Sequence, residues 1–393
     1  MLIGIIGKTN TGKSTFFKAL TLAEVEIANR PFVTIKPNHG IGYVKINCVD
    51  KEFNVKCNPK EGYCINNNRY VPVELLDVAG LVPGAHKGYG LGNKFLDDLR
   101  QADAFIHVID ISGSSNEKGE SIEQGTYDPA NDIKFLEEEI DMWFFNILNK
   151  DWNRIIKEIR VDKKELHKKI AEKFSGLKIT ENMVTQAMRN LNVNDNSNWD
   201  EDLLKKFASQ LRKISKPLII AANKIDISGS EKNLKILKEK FKDYIIIHCS
   251  AESELALKEA AKHKLIKYSD NNFEIISNIN EKQKNALDFI KKNILDKYSS
   301  TGVQEILDKT VFDLLKYITV YPVATNKLTD KDGNILPDCF LVPENITALE
   351  FAFKVHTDIG NNFIRAVNLK TKQIIGKDHI LKNNDVIEII SSK

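Results

Sequence analysis

"GKTNTGKST", Gly7 to Thr15, stands directly behind the apolar run "LIGII" at residues 2–6. A short β-branched run followed by glycines, lysines and hydroxyls reads as a strand, a turn and the start of a helix, with the spacing GxxxxGK[ST]. The glycines allow backbone N–H groups to close on phosphate oxygens, and the helix that follows turns its positive end toward them. Lys13 would bring a point charge to the β- and γ-phosphates, and Ser14 a hydroxyl ligand for Mg²⁺. Gly7, Lys8, Thr9, Asn10, Thr11, Gly12 and Thr15 complete the loop. A plain glycine turn between strand and helix is the bland alternative; the strand–turn–helix setting favours phosphate.

Further apolar runs fit the same plan: "VELLD" (73–77), "AFIHVID" (104–110), "PLIIAAN" (217–223) and "YIIIHCSA" (244–251). They are unbroken rather than alternating, as strands covered on both faces of a parallel sheet are. Helical patterns at Phe16 to Leu22 and Lys94 to Gln101 separate them. The alternation predicts an α/β domain with the doubly wound, mostly parallel sheet of a P-loop NTPase. Ligands of such sheets bind beyond the carboxyl ends of the strands. Gly7–Ser14, Asp77–Gly80, Asp110, Asn223–Asp226 and Ser250–Ala251 lie there.

Three of those ends add chemistry to the loop. "DVAG", Asp77 to Gly80, offers a carboxylate for a Mg²⁺-bound water and an N–H for the γ-phosphate. "NKID", Asn223 to Asp226, places a carboxylate where it can accept from guanine N1 and N2. Lys224 would lay its stem over the base, and Asn223 would brace the loop. Adenine has no such donor pair and would leave Asp226 desolvated, a loss of roughly 1–3 kcal/mol per missing bond. "CSAE" supplies Ser250, Ala251 and Glu252, with the Ala251 N–H assigned to the guanine oxygen. Each short match is weak alone. In this order on successive strand ends they predict a site for GTP and GDP.

Composition agrees with a globular protein: 393 residues, 42% hydrophobic, 28% charged. A net charge of +3 is too mild to indicate nucleic acid, so no DNA partner is expected. No apolar stretch is long enough to span a bilayer, and "MLIGIIG" lacks the basic leader of a signal peptide, so a cytoplasmic protein without a membrane partner is expected. Five cysteines make no disulfide framework in such a chain. Cys48, Cys57 and Cys64 are close enough in sequence for a metal site, with His39 and Asp50 nearby. There is no CxxC pair and no evident fourth ligand, so thiols in a hairpin are the favoured reading.

"LLDVAGLVPGAHKGYGLGNKFLDDLRQADAFIHVID" and "RPFVTIKPNHG" together resemble the Obg family of GTPases, specifically the YchF-like branch with a C-terminal TGS domain. The resemblance implies that Thr34 is the switch threonine, a Mg²⁺ ligand beside Ser14 and Asp77. Leu81 follows "DVAG" where many GTPases carry a water-orienting glutamine, which implies slow intrinsic hydrolysis, on the order of 10⁻⁴–10⁻² s⁻¹. Lys13, Thr34 and Gly80 are the catalytic candidates, with two helpers. His86 lies in the glycine-rich segment, and Asn10 stands where related GTPases help to bind K⁺. Some YchF-like members have lost NKxD and prefer ATP; the intact Asn223, Lys224 and Asp226 favour GTP here.

Between Asp110 and Asn223 lies far more chain than a βα connection needs. Ile133, Leu136, Ile140, Phe144, Leu148, Ile155 and Ile170 recur at helical spacing, predicting a coiled-coil-like arm, projecting as an antiparallel hairpin. Residues 151–216 hold 15 Lys/Arg against 10 Asp/Glu, a balance that suits RNA but equally a solvated helix face. From Ile318, "ITVYPVA" and "CFLVP" flank the turn "DKDGN". Thr347 and Glu350 then form a capping box, and "FIRAVN" and "DVIEII" follow. This α+β pattern is a β-grasp and resembles TGS in "FKVHTDIGNNFIRAV" and "LKNNDVIEI". The expected organisation is a G domain at 1–132 and 217–315, its second part largely helical beyond 252, an arm at 133–216 and TGS at 316–393. The expected function is a Mg²⁺-dependent GTPase switch on the ribosome or RNA. A P-loop kinase, an ATP-preferring hydrolase and a nucleotide-insensitive RNA-binding scaffold are the alternatives.

Overall fold

The computed structural model describes residues 1–22, 38–78, 80, 100–162, 165–194, 199–269, 271–324, 328–330 and 332–392. Thr34, Leu81, His86 and most of the helix expected at 94–101 lie outside the described residues. The chain divides into two compact units. Met1–Ala19, Asn38–Gly40 and Glu74–Ile306 belong to the first, Ile41–Val73 and Leu307–Lys393 to the second.

A seven-stranded sheet is built from β1 (Leu2–Ile6), β2 (His39–Asn47), β3 (Tyr63–Ile65), β4 (Asn68–Asp77), β5 (Ala104–Asp110), β6 (Leu218–Asn223) and β7 (Ile246–Cys249). Their order is β2-β4-β1-β5-β6-β7, with β3 paired to β4. β1 runs parallel to β4 and β5, β5 to β6, and β6 to β7. Every residue of β1, β5 and β6 is buried. That is why these runs are almost continuously apolar: helices cover both faces, and apart from His107 the polar side chains of these strands, Asp110 and Asn223, stand at their carboxyl ends. Helix α1 (Lys13–Thr21) follows β1 and sets Phe16 and Ala19 into the core.

The insert is helical, in four helices rather than the two of a hairpin: α2 (Ala130–Asp162), α3 (Leu166–Lys173), α4 (Glu181–Asn190) and α5 (Glu201–Ser215). Its periodic residues do not form a separate seam. Ile133, Leu136, Ile140, Phe144 and Leu148 join Leu2, Ile6 and Phe105 in one hydrophobic cluster. The breaks have local causes. The Thr180 hydroxyl accepts from the Met183 amide to start α4, and the Asp200 carboxylate accepts from the Leu203 amide at 2.8 Å to start α5. Arg212 of α5 is fully buried and donates to Asp141 (2.7 Å) and Glu137 (3.1 Å) of α2, which fixes the two helices in register.

After α6 (Ser230–Lys240) and α7 (Ala251–Lys262) the largely helical expectation fails over one short stretch. β8 (Ile266–Ser269) and β9 (Asn272–Ile275) form an antiparallel pair. Ile266, Tyr268 and Phe273 alternate toward the core, a period-2 signal too short to register among the helical patterns around it.

The second unit holds β10 (Tyr317–Val323), β11 (Phe340–Pro343), helix α8 (Ala348–Val355), β12 (Phe363–Asn368), β13 (Gln373–Ile375) and β14 (Asp385–Ser391). The sheet order is β11-β10-β14-β12-β13, with β10 antiparallel to β11 and parallel to β14. The capping box at α8 is present in both directions, Thr347 to the Glu350 amide and Glu350 to the Thr347 amide. Phe351 and Ala352 of α8 pack on Val320, Val342 and Ile387. Ile41–Val73, which the sequence places in the G domain, also belongs to this unit. Val49 packs with Tyr321, Leu336 and Val386, and buried Arg69 donates to the carbonyls of Leu336 (2.5 Å) and Pro337 (2.7 Å).

Candidate functional site

The carboxyl ends of β1, β4, β5, β6 and β7 converge on the loop that follows β1. Two glycines there are required by geometry. Gly7 has φ 152°, and a Cβ on it would stand 2.4 Å from the Val108 carbonyl oxygen. Gly12 has φ 87°, and a Cβ on it would strike the Asn223 amide at 2.3 Å. Gly80 lies against the same loop, its Cβ position 3.6 Å from the Thr9 amide nitrogen. The loop is thereby held open for an anion at the N-terminus of α1.

Lys13 and Ser14 meet Asp77 directly. Lys13 Nζ is 2.6 Å from Asp77 Oδ1, and Ser14 Oγ donates to Asp77 Oδ2 at 3.3 Å. Hydroxyl and carboxylate oxygens side by side are the hard donors Mg²⁺ takes, alongside water and phosphate oxygens. Thr15 is half-buried on the first turn of α1.

Asn223 is the hub. Its Nδ2 donates to the Thr11 carbonyl at 2.8 Å, and its Oδ1 accepts from the Ala251 amide at 2.9 Å. One buried side chain thus ties the phosphate loop, the end of β6 and the end of β7 together. Beside it Lys224 takes a left-handed conformation, φ 68°, and its ammonium reaches Asp110 Oδ2 at 2.8 Å. Asp226 stays half-exposed and, among the described residues, accepts no hydrogen bond. The Cys249 thiol close by is pushed well up by burial, so it stays neutral.

Asp110 is the residue sequence reasoning missed. It sat at a strand end without a motif of its own. Here it accepts from the hydroxyls of Ser112 (2.5 Å), Ser114 (2.9 Å) and Ser115 (2.9 Å) as well as from Lys224. Burial alone would raise its pKa; the Lys224 ammonium and the serine hydroxyls outweigh it and hold the carboxyl below its usual range. The charge is therefore fixed, and Lys224 is held beside the position assigned to a base. "SGSS" at 112–115, one residue beyond the aspartate, is the available signal.

Three assignments need correction. Lys8 does not face the phosphate loop's mouth: its ammonium is buried, donates to Asp132 (2.9 Å) and the Ser115 carbonyl (2.9 Å), and lies 3.9 Å over the Tyr127 ring. Only its backbone remains for a ligand. The Ala251 amide assigned to guanine donates instead to Asn223 Oδ1. Ser250 is buried as the cap of α7, its Oγ accepting from the Ser253 amide, while Glu252 is exposed on the first turn. Thr9 and Asn10 line the exposed side of the loop, where Thr9 Oγ1 donates to Lys118 O and Asn10 Nδ2 to Gly119 O at 2.7 Å. Behind the loop, burial and the Lys8 charge depress His107 to about 3, keeping it neutral. Burial raises Asp132 above the usual carboxylate range, with Lys8 and Tyr127 acting against that shift.

The chain is similar to known proteins along its whole length. Residues 2–150 match the family described as 50S ribosome-binding GTPase, and residues 327–391 the TGS domain. Residues 221–325 match the domain described as Obg-like GTPase YGR210-like, G4 motif-containing. An uncharacterized GTP-binding protein of Methanocaldococcus jannaschii is 51% identical over 100% of this chain and 99% of its own. A protein named ribosome-binding ATPase YchF from Buchnera aphidicola is 28% identical over 98% of each. A crystal structure of a GTP binding protein from Pyrococcus horikoshii is 40% identical, covers 100% of both chains and superposes with a TM-score of 0.81.

Proposed function

The chain belongs to the YchF-like GTPases of the Obg family, GTP-binding proteins with a TGS domain, and from that premise we propose that it hydrolyses GTP to GDP and phosphate as a switch on the ribosome. The observation that carries the reading is Asn223. It binds the phosphate loop to the strand end that presents Asp226, so triphosphate and base are read by one connected frame. Asp226 is left to accept from guanine N1 and N2.

Ser14 and Asp77 would hold Mg²⁺, whose charge offsets that of the β- and γ-phosphates. The chain's own part is positional. Lys13 exchanges Asp77 for phosphate oxygens, and the amides of Gly7–Ser14 and of Gly80 donate to the anion. Asn10 keeps its amide on Gly119, which leaves its oxygen for a K⁺ ion beside the phosphates. No glutamine follows Gly80, and the resulting slow turnover suits a switch that waits for a partner. The ribosome as that partner is supported by the names of the family matched at residues 2–150 and of the Buchnera relative. That relative is also named an ATPase, which makes ATP the second reading.

Two assays test the proposal together. Phosphate release is expected from GTP, faster than from ATP, lost with EDTA and faster in K⁺ than in Na⁺. Sedimentation with ribosomes is expected to be stronger with a non-hydrolysable GTP analogue than with GDP. Phosphate transferred to a second small molecule would identify a kinase instead. Equal ribosome association in both nucleotide states would remove the switch.

A further inference from the structure

Outside the nucleotide site, a second group of donor side chains gathers in the segment before β4. Cys48, Asp50, Cys57 and Cys64 bring one donor atom each to within 4.8 Å of all the others. We propose that these four residues form a structural zinc site, unrelated to the nucleotide pocket and independent of its assignment.

Three observations support it. The first is spacing. Four ligands around a tetrahedral zinc with bonds of about 2.3 Å to sulfur place their sulfurs about 3.8 Å apart. Cys48 Sγ and Cys57 Sγ are 3.6 Å apart, and Cys64 Sγ is 3.9 Å from Asp50 Oδ2. The second is the carboxylate. Asp50 is 3% exposed and, among the described residues, pairs with no lysine or arginine. A buried carboxylate without a cation is costly, and its neighbours here are thiols. The fourth ligand missing from the sequence reading is therefore Asp50, in the one-turn helix Val49–Lys51 between the first two cysteines.

The third is the support around the ligands. Asn67 Nδ2 donates to Asp50 Oδ1 at 3.2 Å, while Oδ2 accepts from the Cys57 amide at 3.5 Å and faces Cys64 Sγ. The Asn67 carbonyl accepts from the Cys48 amide at 2.8 Å. Asn66 and Asn67 form the two-residue turn joining β3 to β4, both with positive φ. That turn sets Cys64 opposite Arg69 in the ladder. Zinc with three thiolates and a carboxylate carries net negative charge, and the buried Arg69 guanidinium supplies a compensating positive one. Binding releases the thiol protons to solvent, so affinity falls in acid.

The function of such a site is to fix a loop. Between Cys48 and Cys64 the backbone forms little regular structure, yet Cys48, Val49 and Cys57 belong to the core of their unit together with Tyr321 and Leu336. A metal closing this stretch stabilises it where secondary structure does not.

The test uses the full-length protein purified under reducing conditions without chelator. Elemental analysis is expected to find about one zinc per chain. Protein stripped of metal and titrated with Co²⁺ should develop thiolate-to-cobalt charge-transfer absorption and tetrahedral d–d bands, both displaced by Zn²⁺. Cys57→Ser should weaken the charge-transfer band. Asn67→Gly keeps the turn's positive φ while removing the amide, and should lower Zn²⁺ affinity about 10- to 100-fold with the same number of sulfur donors. Because stripped wild-type protein reports on its own, a variant that misfolds does not blunt the test. No zinc after purification together with a cobalt-silent stripped protein overturns the proposal. So does iron in place of zinc, or a mass lighter by two hydrogens that maps to a Cys48–Cys57 disulfide.

Discussion

Asp226→Asn is expected to abolish the preference for GTP over ATP. In the wild-type chain the carboxylate can accept from both N1–H and the N2 amino group of guanine. Hydrogen bonds to a charged acceptor contribute about 1.5–3 kcal/mol each; asparagine loses the bond from the N2 amino group and keeps only a neutral acceptor for N1–H, so GTP affinity should fall roughly 10- to 10²-fold or more. Adenine makes neither bond, and ATP affinity should stay where it was. A third nucleotide separates lost recognition from lost folding. Xanthine keeps N1–H but has a carbonyl at C2, which the asparagine amide can donate to, so XTP should gain affinity as GTP loses it. The measurement is competition against a fluorescent nucleotide. An unchanged GTP-to-ATP ratio would show that Asp226 does not read the base. Asp226 is half-exposed and accepts no hydrogen bond among the described residues, so the substitution disturbs no internal partner.

Lys13→Met should act on the phosphate end and spare base selectivity. Methionine keeps the unbranched stem and the helical propensity of α1 while removing the charge. Removing one preorganised donor from a developing charge costs about 10²- to 10³-fold in rate, and single-turnover GTP hydrolysis should fall by at least that much. The ion pair to Asp77 is also lost, but both side chains keep some exposure, 11% and 18%, so its contribution to stability is small. Thermal unfolding of the nucleotide-free protein should therefore shift little. Hydrolysis within a few-fold of wild type would place the triphosphate elsewhere than over Lys13.

The two variants address opposite ends of a site whose order was legible in the sequence. Strand-end positions follow from apolar runs, and apolar runs follow from burial on both faces. Gly7, Lys13, Ser14, Asp77, Asn223 and Asp226 stand at or just beyond the ends of β1, β4 and β6, where the apolar runs put them, because backbone position alone decides that. Side-chain direction was harder. Lys8 and Lys13 are both loop lysines; Lys8 turns inward because Asp132, more than a hundred residues away, is buried there to meet it. Asp110 gained its role from three following serines and from Lys224, none of which a strand pattern weighs. The Ala251 amide went to Asn223 because a buried side-chain oxygen had to be satisfied.

Elsewhere the limits were of the same kind. The apolar period of the insert identified helices but not their number, because capping residues such as Thr180 and Asp200 are common in loops as well. Cys48, Cys57 and Cys64 lacked a fourth partner on the line of the sequence. Asp50 became one only once the chain had turned back through Asn66 and Asn67.

The claim everything rests on is that one rim of the parallel sheet selects a guanine nucleotide. Calorimetric titration of the wild-type protein with GTP, GDP and ATP in Mg²⁺ tests it most directly. Stoichiometric binding of GTP and GDP, each tighter than ATP by about tenfold or more, is the expected result. Binding of neither guanine nucleotide, or ATP binding as tight as GTP, would contradict it.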